Sequence, residues 1–224
     1  MTKLSLILLA SLAAFPALAA EPLRVTLANL GPDGRFAPDQ AFCTPSGFGP
    51  NVSPAVSWQA GPKGTQSYVL VMLDPDVPQD LSQYNKPGVT ITAESPRQIF
   101  PHWLLADVPV SVTALAEGVE ARGVVKGNLP LARTAYGRRG QSGFAGFMAG
   151  NPEMAGDWGG YAGPCPPLND LRRHEYRVRV YALDVPTLPL PDRFTWADLE
   201  PALRGHILAE GEAKAAYSLN PAVK

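Results

Sequence analysis

Ser67-Tyr68-Val69-Leu70-Val71-Met72-Leu73 leads straight into Asp74-Pro75-Asp76-Val77-Pro78. A β-branched and leucine-rich run closed by aspartates and prolines reads as a buried strand capped by a turn. Three more segments carry strand patterns: Leu23 to Leu27 alternates apolar and polar residues, Trp103 to Val108 is a second apolar run, and Tyr176 to Leu183 alternates again. In the last, Tyr176, Val178, Val180 and Ala182 share one face, and Arg177, Arg179 and Tyr181 share the other. The best helix signal is short: Thr195 as N-cap for Trp196 to Arg204, Leu199 and Leu203 four apart, and Gly205 as the stop. The pattern therefore predicts a mainly β fold, a sandwich or a barrel, with a few short peripheral helices.

Composition agrees with that class. The chain has 224 residues, 46% hydrophobic and only 17% charged, which excludes disorder as its main state. Lys plus Arg number 19 against 20 Asp plus Glu, so there is no basic excess to spread over a nucleic acid. Proline, at 24 residues, is too frequent for a helix bundle and predicts many turns. Leu81 to Pro101 and the glycine-rich stretch Gly137 to Pro167 read as long loops, a class that is usually functional or mobile. No repeat or low-complexity linker divides the chain, so residues 20–224 read as one domain.

The N-terminus reads as an export signal. Lys3 precedes the apolar run Leu4 to Phe15, and Ala17-Leu18-Ala19 fits the small-x-small cleavage pattern, which puts cleavage after Ala19 and makes 1–19 a signal peptide. The alternative is an uncleaved N-terminal anchor. No other window is long and apolar enough for a transmembrane anchor, so the expected location is periplasmic or secreted. Cys43 and Cys165 are the two cysteines; with no C-x-x-C there is no support for a zinc ribbon or thioredoxin site. An even count in an oxidising compartment implies one disulfide; two unpaired buried cysteines are the alternative.

Chemistry centres on few residues. Of the three histidines, His102 and His174 each stand just before a strand-like run and after a proline-rich or polar loop. Asp74 and Asp76 end the most apolar strand, and buried carboxylates need partners. Histidine is the obvious one, because a carboxylate beside it favours the protonated, double-donor form, and such a pair makes a small anion site. The bland reading is a structural histidine and an ordinary Asp-Pro turn. Val77-Pro78 is a candidate cis bond in such a turn. His102, His174, Asp74 and Asp76 also have the residue types for a metal site. Against catalysis, there is no G-x-S-x-G, H-E-x-x-H or P-loop.

In chain order, Asp74-Pro75-Asp76-Val77-Pro78, His102-Trp103, Tyr161-Ala162-Gly163-Pro164-Cys165-Pro166-Pro167 and His174-Glu175-Tyr176 resemble the phosphatidylethanolamine-binding protein family. Within it the chain is most similar to the bacterial Raf-kinase-inhibitor-like branch. Asn51 to Trp58, Tyr181 to Asp184 and Gly205 to Glu210 extend the resemblance over about Val25 to Tyr217. The resemblance implies a β-sandwich of two antiparallel sheets with an anion pocket at one end for a phosphate-bearing or phospholipid head group. By position it places Asp74, His102, His174 and Tyr176 in that pocket, Pro166 and Pro167 in its wall, and Tyr161 and Gly163 in the same segment, with Asp76 and Pro78 supporting. Glu175 stands where the family often has arginine, and strand alternation puts it on the opposite face. Cys165 falls beside the wall, so a bond to Cys43 would staple that loop.

Three functions fit these residues: a non-enzymatic binding protein for small phosphate-bearing anions such as phosphorylethanolamine, an interaction protein inhibiting a kinase or protease, and a metal-assisted hydrolase. The first is favoured, with no cofactor and no metal, and with a protein target or a second copy of the chain as further partners. Arg138 and Arg139, in the glycine-rich stretch, are either phosphate contacts or a solvated loop pair.

Overall fold

The computed structural model describes residues 22–223. The expected signal peptide, 1–19, lies outside them. Among the described residues eleven strands are formed: β1 (Val25–Leu27), β2 (Cys43–Thr44), β3 (Gly47–Phe48), β4 (Val56–Trp58), β5 (Ser67–Pro78), β6 (Arg97–Pro109), β7 (Ala114–Leu115), β8 (Arg133–Thr134), β9 (Gly137–Arg139), β10 (His174–Leu183) and β11 (Ile207–Tyr217). Two short α-helices join them, α1 (Phe144–Phe147) and α2 (Trp196–Ala202).

All strand pairs are antiparallel. The large sheet has six strands in the order β11-β10-β5-β6-β9-β8, and a three-stranded sheet β1-β4-β7 lies over one of its faces. Between them sits the main core, where Leu27, Val56, Trp58 and Leu115 of the small sheet meet Tyr68, Leu70, Met72, Leu105, Val178 and Val180 of the large one. The opposite face of β5 presents Val69, Val71 and Leu73 to Phe194, Leu199 and Leu203 in and around α2. Covering on both faces is why β5 reads as a continuous apolar run instead of an alternating one. The architecture is thus the sandwich of two antiparallel sheets, with short helices outside it.

Helix α2 begins at Thr195, whose backbone N–H and hydroxyl both donate to the Asp198 carboxylate at 2.8 and 2.9 Å. It stops before Gly205, which adopts φ +83°, a left-handed conformation that costs glycine little.

Several expectations about loops are corrected. The Asp74–Pro78 stretch is not a cap at the end of β5 but its last five residues, paired with the start of β6, so the long loop is 79–96 and not Leu81 to Pro101. The Val77–Pro78 bond is trans, as are all peptide bonds among the described residues. Gly137 to Pro167 is not a loop throughout, since β9 adds to the large sheet beside β6 and α1 follows. Arg138 and Arg139 are neither solvated nor near the pocket. Arg139 is buried with its Nε 2.8 Å from Glu120, and Arg138 is buried 3.4 Å from Asp107 with its guanidinium over the Phe194 ring. Adjacent strand residues point to opposite faces, so the pair splits between the two cores.

Cys43 and Cys165 form a disulfide across 122 residues. It ties the β2–β3 hairpin to the Pro164–Pro167 segment, whose Pro164 carbonyl also accepts the N–H groups of Phe42 and Cys43.

Candidate functional site

Two irregularities in the β5–β6 pairing place the polar residues. Met72 pairs with Trp103 and Leu73 with Pro101, which leaves His102 as the extra residue of a bulge. Asp74 then pairs with Phe100 and Val77 with Gln98, so Pro75 and Asp76 oppose Ile99 alone. Proline has no N–H for a ladder, and a bulge both tolerates it and re-aims neighbouring side chains. His174 opens β10, on the other side of β5, and completes the group.

His174 is fully buried between two carboxylates: Nδ1 lies 2.7 Å from Asp74 Oδ2 and Nε2 lies 3.1 Å from Asp170 Oδ2. Burial pulls its pKa down, but the bonds to Asp170 and Asp74 outweigh that and raise it to about 9, so the ring is an imidazolium at neutral pH. Asp74 is pushed up by burial and held down more strongly by His174, with help from His102 and the Asp76 N–H, leaving it below the ordinary carboxylate value. Asp170 behaves alike, its burial outweighed by His174, Arg97 and the Arg172 N–H. The Arg97 guanidinium grips both Asp170 oxygens, at 2.5 and 3.1 Å, and also donates to the carbonyls of Asp76, Thr92 and Ser95. One arginine thereby anchors the 79–96 loop to the buried charges.

His102 is the neutral counterpart. Its Nδ1 is 2.7 Å from the Ala162 carbonyl oxygen, which fixes that nitrogen as the donor. Its Nε2 lies 4.0 Å from Asp74 Oδ2, outside hydrogen-bond reach. Burial lowers its pKa below the ordinary value despite the opposing pull of Asp74.

These groups form the floor of a pocket lined by Asp74, His102 and His174 and walled by Val77, Leu81, Tyr84, Phe100, Phe144, Phe147, Cys165, Pro166 and Pro167. It offers about 30 Å³ to the centres of water-sized groups, more than one water needs. Tyr84 donates to the Cys165 carbonyl, and its ring lies 5.5 Å from that of Phe147. The wall is therefore apolar and largely aromatic over a charged floor.

Of the residues expected at the site, Asp74, His102, His174, Pro166 and Pro167 come together there. Tyr176 does not line it; it is fully buried behind, 5.1 Å ring to ring from His102, with its hydroxyl unpaired among the described residues. Tyr161 is further back, its hydroxyl donating to the Gln40 carbonyl and its ring against Trp103. Gly163 braces the wall from outside the pocket. A Cβ there would fall 2.2 Å from the Gln40 oxygen, and its N–H donates to Asn51 Oδ1. Asp76 faces away to accept the Glu175 N–H and to meet Arg172, and Pro78 ends β5 beside Gln98. Glu175 is on the outer face, paired with Lys214 at 2.9 Å. Arg97, Tyr84 and Phe100 carry no signal of this role in the sequence, whereas Phe144 and Phe147 lie in the glycine-rich stretch expected as the rim or lid of the pocket. For Asp170 the one signal is its place four residues before a histidine that had to be satisfied if buried. Among the described residues no group of three or more His, Cys, Asp and Glu is arranged to hold a metal ion, and no helix is long and apolar enough to cross a membrane.

Comparison with known proteins agrees with this architecture. The chain is 28% identical over 173 residues to a UPF0098 protein of Aquifex aeolicus, covering 75% of each chain. It is 27% identical over 177 residues to the UPF0098 protein YbcL of Escherichia coli, covering 78% of this chain and 77% of YbcL. The crystal structure of YbcL, described as a new member of the mammalian PEBP family, superposes with a TM-score of 0.64 at 23% identity, over 88% of this chain and 99% of the other. A phosphatidylethanolamine-binding protein homologue of Chlamydia trachomatis gives a TM-score of 0.58 at 25% identity, over 88% and 97%. The sequence pattern of the phosphatidylethanolamine-binding protein family matches residues 29–218, and the chain belongs to that family.

Proposed function

We propose that this protein is an exported binding protein without catalytic chemistry of its own, whose pocket takes the phosphate of a small head group such as phosphorylethanolamine. The observation that carries the reading is the meeting of Asp74, His102 and His174 at the floor of an otherwise apolar pocket. The two histidines have different tasks. His174 has both ring nitrogens occupied by carboxylates, so it supplies positive potential and holds Asp74 in place without donating to a ligand. His102 keeps Nε2 for the ligand. An arriving anion raises the pKa of His102, and the protonated Nε2–H then donates a charge-assisted bond while Asp74, 4.0 Å away, stabilises the new imidazolium. The apolar wall keeps water out and so strengthens that bond.

The family's name supports phosphatidylethanolamine-type head groups as the ligand class. Export is supported by the residue pattern of 1–19 and by the disulfide, a bond that persists in oxidising compartments. Calorimetric titration with phosphorylethanolamine and with inorganic phosphate, on the wild type and on His102→Ala, tests the reading. Saturable one-to-one binding weakened at least tenfold in the variant is expected. Binding by neither ligand would put the protein-interaction reading in its place, and equal binding by the variant would remove His102 from the site.

A further inference from the structure

Few polar side chains face the pocket, and most of their hydrogen-bonding capacity is already used. His174 has both ring nitrogens on carboxylates, and the Tyr84 hydroxyl donates to the Cys165 carbonyl. His102 gives its Nδ1 hydrogen to the Ala162 carbonyl, which leaves a lone pair on Nε2 while the ring is neutral. Asp74 Oδ1 accepts the Asp76 N–H at 2.8 Å, and Oδ2 accepts from His174 at 2.7 Å. An ionised carboxylate has about four lone-pair sites, so lone pairs remain free on Asp74. At rest the side chains lining the pocket therefore offer acceptors and no free donor. The charges behind them add no net attraction, since Asp74, His174, Asp170 and Arg97 form a row of two carboxylates and two cations.

An anion entering this pocket has to meet both acceptors at once. His102 Nε2 and Asp74 Oδ2 are 4.0 Å apart, so a tetrahedral anion bonded to the first has a second oxygen against the other. His102 takes up a proton as the anion arrives. Asp74 does not: burial pushes its pKa up, but His174, His102 and the Asp76 N–H together hold it below the ordinary value, so it stays ionised. The missing hydrogen has to come from the ligand. We infer that Asp74 sets the class of ligand by accepting a P–O–H hydrogen, so that the pocket takes phosphate monoesters as monoanions and rejects phosphodiesters and sulfate esters. The inference rests on the head-group reading above and narrows it. A phosphate monoester has its second pKa at about 6 and keeps one hydroxyl below that pH. A diester or a sulfate ester has no such hydrogen to give. In the bound state His102 donates to one oxygen and the ligand hydroxyl donates to Asp74. A diester or sulfate instead sets a bare oxygen against a buried carboxylate, and the apolar wall leaves neither of them water to turn to.

The test is calorimetric titration of the full chain, at a pH of about 5.5, with methyl phosphate, methyl sulfate and dimethyl phosphate. At that pH all three are monoanions of similar size, and only methyl phosphate carries a hydroxyl. Asp74→Asn is run in parallel, because an amide can donate where the carboxylate only accepts. Methyl phosphate is expected to bind the wild type about thirtyfold more tightly than either of the others. In Asp74→Asn methyl sulfate should gain on methyl phosphate until the two lie within about threefold, a reversal that mere loosening of the fold would not produce. The wild-type comparison decides by itself if the variant does not fold. Methyl sulfate and dimethyl phosphate binding the wild type as tightly as methyl phosphate overturns the inference and spares the head-group reading. Binding by none of the three overturns the head-group reading and the inference with it. Discrimination kept intact in a folded Asp74→Asn takes the selection away from Asp74 and also overturns the inference.

Discussion

His174 Nδ1 lies 2.7 Å from Asp74 Oδ2, joining two strands whose residues are 100 positions apart. With Asp170 on the other ring nitrogen and Arg97 behind Asp170, this is a buried row of alternating charges, acid, base, acid, base. Each member is costly to bury alone and satisfied only by its neighbours, so the floor of the pocket is set by packing before any ligand arrives.

The row makes stability depend on pH with a definite sign. The folded pKa of His174, about 9, stands above the ordinary 6.5, so its contribution is complete below about pH 6.5 and is lost as pH rises through 9. The loss should amount to about 3 kcal/mol. On the acid side Asp74 and Asp170 are held below their ordinary values, so stability falls as pH drops below about 4. Urea unfolding at pH 6 and pH 9.5 should show the alkaline loss in the wild type and not in His174→Gln.

Asp170→Asn removes one carboxylate and leaves Arg97 and His174 short of a partner. A loss of about 3 kcal/mol is expected, in the range for breaking a buried ion pair. The His174 titration, followed by NMR, should move to lower pH in the same variant. An unshifted titration would contradict the clamp.

Binding of a phosphate ester should take up a proton at His102. Its pKa in the free protein is depressed by burial, and an anion beside Nε2 opposes that. Calorimetry at pH 7.5 in two buffers of different ionisation heat should reveal the uptake, smaller by about one proton in His102→Gln than in the wild type.

The disulfide closes a loop of 122 residues, and in the chain-entropy picture such a bond contributes about 4 to 5 kcal/mol. Cys43→Ser/Cys165→Ser should lose about 4 to 5 kcal/mol in urea unfolding while its native hairpin stays docked through the backbone bonds of Phe42 and Cys43 to Pro164. Coincident unfolding curves for the two proteins would contradict a stapling role.

The strands of the core were legible because burial writes a plain pattern. The run at Ser67 and the alternation from Tyr176 follow directly from covering two faces or one. The ends of β5 and β6 were not legible, since Asp-Pro-Asp-x-Pro carries turn chemistry and only a double bulge lets it stay in a sheet. Arg138 and Arg139 misled for a related reason: two adjacent arginines look solvated until tertiary structure supplies Asp107 and Glu120 on opposite faces. At the site, motif order brought Asp74, His102 and His174 forward. Asp170, Arg97 and the aromatic wall come from segments without periodicity, whose positions depend on how the loops close. Tyr176 shows the limit of alternation, which placed it on the face of His174 but could not say that the pocket ends before reaching it.

A crystal structure with phosphorylethanolamine tests the central claim most directly. The phosphorus should lie in the pocket with a phosphate oxygen within about 3 Å of His102 Nε2 and with His174 still bridging Asp74 and Asp170. A ligand seated elsewhere, or phosphate oxygens bonded to His174 in place of the two carboxylates, would contradict the account.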